Sequence, residues 1–127
     1  MKKLSAFGLV LMIFLAACKK DKEEISLKGK WNLENYITKE YDNGVLTDTE
    51  TISGSGTTID FQNNGNVVST ESGNVSSVPY TIKPNSKVEV GGETYEIRNL
   101  TASSVTLFIR EDVAPDNYIE LFINLKR

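Results

Sequence analysis

Two runs near the end of the chain decide the fold: Ser104-Val-Thr-Leu-Phe-Ile-Arg-Glu111 and Tyr118-Ile-Glu-Leu-Phe-Ile-Asn-Leu-Lys126. Each alternates apolar and polar residues with a period of two, as a strand with one face on a core requires. Pairing Ile109 with Leu121 also brings Leu107 to Ile123 and Val105 to Leu125. On the opposite face the same register sets Phe108 beside Phe122 and Arg110 beside Glu120. A slip of one residue would undo every one of these matches, so the sequence predicts this antiparallel register.

Working back from this hairpin, the chain keeps the same texture. Residues 30–41 place Trp31, Leu33, Ile37 and Tyr41 on one face, and Asn43-Gly44 then predicts a two-residue turn. Residues 45–52, rich in Thr and acids, form a weak strand expected at an edge or rim. Ser53-Gly54-Ser55-Gly56 has little side-chain content and predicts a mobile loop. Ile59 and Phe61 share a face, Asn63-Asn64-Gly65 turns the chain into residues 66–70, and residues 71–77 predict a polar loop. Val78, Tyr80 and Ile82 share the next strand face, and Pro84-Asn85 ends it. Gly91-Gly92 predicts another hairpin, with Val88 opposite Tyr95 and Lys87 opposite Glu96.

No long helical period occurs after Ala17. Eight or nine short antiparallel strands must hide their edges, and closing into a small up-and-down barrel does so completely. By strand parity the inward residues should be Trp31, Leu33, Ile37, Ile59, Phe61, Tyr80, Ile82, Tyr95, Ile97, Leu107, Ile109, Leu121 and Ile123. A barrel of this size either fills with its own side chains or holds one small ligand. In the second case Trp31, Ile37, Phe61, Tyr80, Tyr95 and Leu107 would line the calyx. Phe108 and Phe122 should face outward near Tyr118, as a protein-partner surface or beneath a covering segment.

The beginning of the chain has a different character. Lys2 and Lys3 precede an unbroken apolar run over residues 6–17. That run is shorter than the ~20 residues needed to span a bilayer, so residues 1–17 read as a signal peptide. Leu15-Ala16-Ala17-Cys18 resembles the lipobox of bacterial lipoproteins. The resemblance implies cleavage before Cys18 and acylation, palmitate included, of its thiol and new amino group. Several acyl chains make a permanent anchor where one does not. Residues 18–26 are then a lipidated cysteine and charged tether, and residues 27–127 the domain. Lys22-Glu23-Glu24 resembles the signal that sends Bacteroidetes lipoproteins to the cell surface. An outer-membrane location follows, with the cell surface and the periplasmic face both open.

Gly29-Lys30-Trp31 resembles the Gly-x-Trp signature of lipocalins. Phe61-Gln-Asn-Asn-Gly65 and Tyr95-Glu-Ile97-Arg-Asn-Leu100-Thr101 are similar to short lipocalin-like domains of Bacteroidetes lipoproteins. The resemblance runs from Leu27 to Arg127 and lacks the Thr-Asp-Tyr loop motif and the terminal helix of larger lipocalins. It implies a membrane-anchored binding module for a small apolar ligand or an envelope partner. The alternative is a structural or interaction domain with a filled core and no ligand. In the larger family an arginine near the barrel's end packs across the signature tryptophan; here Lys126 or Arg127 is placed to do so over Trp31.

Composition narrows the chemistry. Histidine is absent, which removes Ser-His-Asp and Cys-His machinery and the usual zinc sites. No enzyme, cofactor or metal is expected. The single cysteine forms no internal disulfide, so the fold must rest on its core. A net charge of −3 with no basic stripe argues against nucleic acid, and a monomer is expected. Asp48 and Glu50 share a strand face but read as solvated. Glu111, Asp112 and Asp116 bracket a loop yet lack the spacing of a calcium loop.

Overall fold

The computed structural model describes residues 25–127. The expected signal peptide, Cys18 and nearly all of the expected tether lie outside these residues. The strands are β1 (Gly29–Asp42), β2 (Val45–Ser53), β3 (Thr58–Phe61), β4 (Asn66–Glu71), β5 (Asn74–Lys83), β6 (Lys87–Val90), β7 (Glu93–Arg98), β8 (Ser104–Ala114) and β9 (Asn117–Lys126). Neighbours in sequence pair antiparallel from β3 through β9, and β1 pairs with both β3 and β9. That closes an eight-stranded barrel, with β2 left outside it and bonded to β1 alone.

The β8–β9 hairpin has the expected register at every pair, including Ile109–Leu121 and Phe108–Phe122. Val88 faces Tyr95 and Lys87 faces Glu96 across β6–β7. The barrel interior is packed by Trp31, Leu33, Phe61, Val67, Tyr80, Val88, Val105, Leu107 and Leu125, with Leu27 closing the end where the chain enters. Burial of such side chains, each contributing about 1.5–3 kcal/mol, holds the barrel together.

Four expectations fail, each for a local reason. Ile37 and Tyr41 do not share a face with Trp31 and Leu33. The β1–β9 register shifts between Leu33 and Asn35, so Glu34 is an extra residue and the alternation inverts beyond it. Tyr36 therefore joins the core, whereas Ile37 lies opposite Phe122 and Tyr41 stacks on Tyr118 on the outer wall. Residues 71–77 are no loop: Glu71 pairs with Asn74 around a Ser72-Gly73 turn, both at positive φ. Ser53-Gly54-Ser55-Gly56 is a clamped crossing. Gly54 is buried, its N–H donates to the Glu34 carbonyl (3.1 Å), and its carbonyl accepts from Thr57 (2.9 Å).

Ile82 also departs from expectation. It shares a strand face with Tyr80 but sits near the end of β5, 44% exposed at the rim.

At the entry end a single lock gathers both termini of the domain. The Trp31 indole N–H donates to the Leu27 carbonyl (2.8 Å), and the Arg127 guanidinium lies 3.8 Å above the ring. The same guanidinium donates to the carbonyls of Ser26, Lys28 and Ala102. Of the two cations considered at sequence level, Arg127 fills the role. Gly29 is required beside it: its φ is +113°, and a Cβ there would lie 2.9 Å from Arg127 Nη1.

Candidate functional site

Four of the six residues expected to line a calyx, Trp31, Phe61, Tyr80 and Leu107, are spent on the core. Trp31, Phe61 and Leu107 are fully enclosed, and the Phe61 and Tyr80 rings meet edge to face at 5.1 Å. The Tyr80 hydroxyl donates to the Gln62 carbonyl (2.6 Å), which satisfies it within the protein. Ile37 lies on the outer wall, as described above. Tyr95 alone stands at the upper limit of the packed interior, its hydroxyl donating to Glu93 Oε2 (3.0 Å).

Space opens above that level. β7 pairs with β8 only from Glu96–Phe108 to Arg98–Thr106, so β8 from Ile109 onward has a free edge on that side. β2 has a free edge too, because it bonds only to β1. The upper parts of β2, β1, β9 and β8 thus continue past the barrel wall as a four-stranded platform. A hollow of about 300 Å³ lies on its inner side, lined by Thr38, Glu93, Ile109, Glu111, Ile119 and Leu121. Arg110 stands at the edge, with its guanidinium turned outward over Tyr118 (3.7 Å) and bonded to Asp112 (2.9 Å). Register places Glu40 beside Asp48, and Thr38 beside Glu50, on the same inner face. The site is an aliphatic floor ringed by carboxylates, with unpaired backbone groups at two edges.

Its electrostatics act on the tyrosines beneath. Burial, the hydrogen bond to Glu93, the Glu93 charge and nearby Tyr36 together push the Tyr95 phenol up to about 12. Burial, then the charge of Glu71, also raises Tyr36. A raised phenol pKa means that Tyr95 favours the fold below about pH 10, and this contribution is lost as pH climbs toward 12. In a spectrophotometric titration one tyrosine should ionise late, and Tyr95→Phe should delete that late step. A titration unchanged in Tyr95→Phe would show that the mouth is wetter than its packing indicates.

No family model, curated protein or solved structure matches the chain.

The outer wall bears an aromatic ladder. Tyr41 stacks on Tyr118 at 4.5 Å, and Phe108 meets Phe122 at 5.1 Å. Arg98 lies 3.6 Å over Phe108 and Lys39 5.2 Å over Phe122. The phenylalanine pair proposed as a partner surface does face outward, but Phe108 is buried beneath these cations. Each such contact contributes roughly 0.5–2 kcal/mol. Asp48 and Glu50 are exposed on β2. Among the described residues no group of three or more acids comes together as a metal site, Glu111, Asp112 and Asp116 included.

Sequence reading anticipated Ile109 and Leu121 as inward residues but not Thr38, Glu93, Glu111 or Ile119 as their neighbours. The inner position of Thr38 depends on the Glu34 bulge, which inverts the parity of β1.

Proposed function

We propose that this chain is a membrane-anchored, lipocalin-like binding module that recognises an envelope partner through its platform end. Acylated Cys18 would hold it at the outer membrane. One observation carries the reading: the interior is filled below Tyr95, and the accessible apolar surface lies above it, between two open strand edges. A filled barrel favours docking over uptake of a ligand along the axis. Free β2 and β8 edges offer main-chain pairing to an extended segment, and the carboxylate rim favours basic side chains alternating with apolar ones. The absence of histidine supports binding without catalysis.

The test combines mass spectrometry of protein extracted from its native membrane with a photo-crosslinking residue at Thr38, which lines the hollow, or at Phe122 on the outer wall. The expected result is an acylated Cys18, no stoichiometric small molecule, and a protein adduct from Thr38 only. A retained apolar molecule would favour the ligand-carrier reading, and an adduct from Phe122 alone would move recognition to the outer wall.

A further inference from the structure

The opposite end of the barrel has its own cavity, which the platform reading does not use. It measures about 450 Å³ and lies where the chain enters the domain. Ile25, Leu27, Ile82, Ile97 and Leu100 supply its apolar wall, and among the described residues Lys83 is its one charged lining group. Ile25 is 55% and Ile82 44% exposed, so apolar surface is left open around this hollow.

Charge divides along the barrel. Strand direction puts Lys28, Lys83, Lys87 and Lys126 at the entry end, together with the Arg127 lock. Among the described residues the acids beside them are Glu89, which pairs with Lys83 (2.5 Å), Glu96 opposite Lys87, and Asp60 opposite Lys30. At the far end the turns and strand tips carry Asp42, Glu71, Glu93, Glu111 and Asp116. An anionic surface would attract the first end and repel the second.

We infer that the entry-end hollow is a docking face for anionic membrane lipid, with acyl carbons against Ile25 and Ile82 and headgroup phosphate among Lys28, Lys83 and Lys87. This rests on the reading of Cys18 as the anchor. Cys18 precedes Ile25 by seven residues, which span about 25 Å even when fully extended. The barrel therefore stays close to the bilayer, and the end from which the tether leaves is the end able to meet it. Seating this basic, apolar end on lipid points the acid-rimmed platform away from the membrane.

The single native cysteine makes the test clean. Ser86→Cys, in the turn beside the hollow, and Thr49→Cys, on the platform, are each made in the full-length protein. Each is purified from membranes, labelled with a solvatochromic thiol dye, and reconstituted into phosphatidylglycerol or phosphatidylcholine vesicles. Dye at Ser86→Cys should shift to the blue in phosphatidylglycerol only, and the shift should collapse in about 1 M salt, where screening reaches within ~3 Å. Dye at Thr49→Cys should not move. Adding Lys28→Gln or Lys87→Gln should lower the docked-to-undocked ratio about five-fold each.

Equal shifts at the two sites, or a Ser86→Cys shift indifferent to lipid charge and to these lysines, would overturn the docking face. So would a shift produced by free oleate and not by phosphatidylglycerol vesicles. Failure of the anchor reading shows separately, as a second reactive thiol and an intact mass without acyl chains.

Discussion

Trp31→Ala is expected to cost about 3–5 kcal/mol of stability, the range for deleting a large buried aromatic. The ring is fully enclosed at the entry end, beneath the Arg127 guanidinium at 3.8 Å. Removing it leaves a cavity, strips the Leu27 carbonyl of its indole donor, and takes the stacking plane from Arg127. That arginine also ties the carbonyls of Ser26, Lys28 and Ala102, so both termini of the domain should loosen together. For a domain of this size the melting temperature should fall by more than about 10 °C. Trp31→Phe should lose less, because it keeps an aromatic plane beneath Arg127 while forfeiting the N–H and part of the indole volume. Denaturant midpoints at unchanged slope give the measurement. A loss below about 1 kcal/mol would show that the ring is no part of the core.

Gly54→Ala should be comparably damaging, although it adds only one carbon. A Cβ at Gly54 would lie 2.3 Å from Leu33 Cγ and 2.5 Å from the Leu33 carbonyl oxygen. The backbone cannot move aside without cost. Leu33 N–H donates to the Thr57 carbonyl (2.9 Å), and Gly54 is itself bonded to Glu34 and Thr57. Overpacking usually costs about 1–3 kcal/mol, and a clash against main chain belongs at the top of that range or above it. Gly56→Ala is the control. Its Cβ would meet nothing, so only its left-handed φ of +80° is penalised, by roughly 1–2 kcal/mol. Chemical denaturation of the pair should place Gly54→Ala clearly below Gly56→Ala; the reverse order would show that the crossing yields.

These two positions show where sequence reading works and where it stops. Trp31 was legible as core because it begins an alternating strand, and the β8–β9 register was legible because both of its faces match chemically. Sequence alone puts Gly54 in a mobile loop, because nothing in Ser-Gly-Ser-Gly reveals that Leu33 lies against it. Strand parity puts Ile37 inward, but that parity holds only until the Glu34 bulge. Ser, Gly and Asn make residues 71–77 look like a loop, yet main-chain pairing to β4 holds 74–77 as strand around the Ser72-Gly73 turn.

The platform site is harder still to see. Its lining comes from β1, β7, β8 and β9, and it exists because β7 stops pairing with β8 above Phe108. No local motif encodes where a strand loses its neighbour.

β1 is hydrogen-bonded to β2, β3 and β9, so the first strand made is completed by the last. A nascent chain can form its inner hairpins early, but the ring stays an open ribbon until residues near Leu125 and Arg127 arrive. Such distant contacts slow folding. A chain emerging amino-end first through a narrow channel would therefore remain threadable until its final residues had passed, and losing even a few of them would leave the seam unsealed.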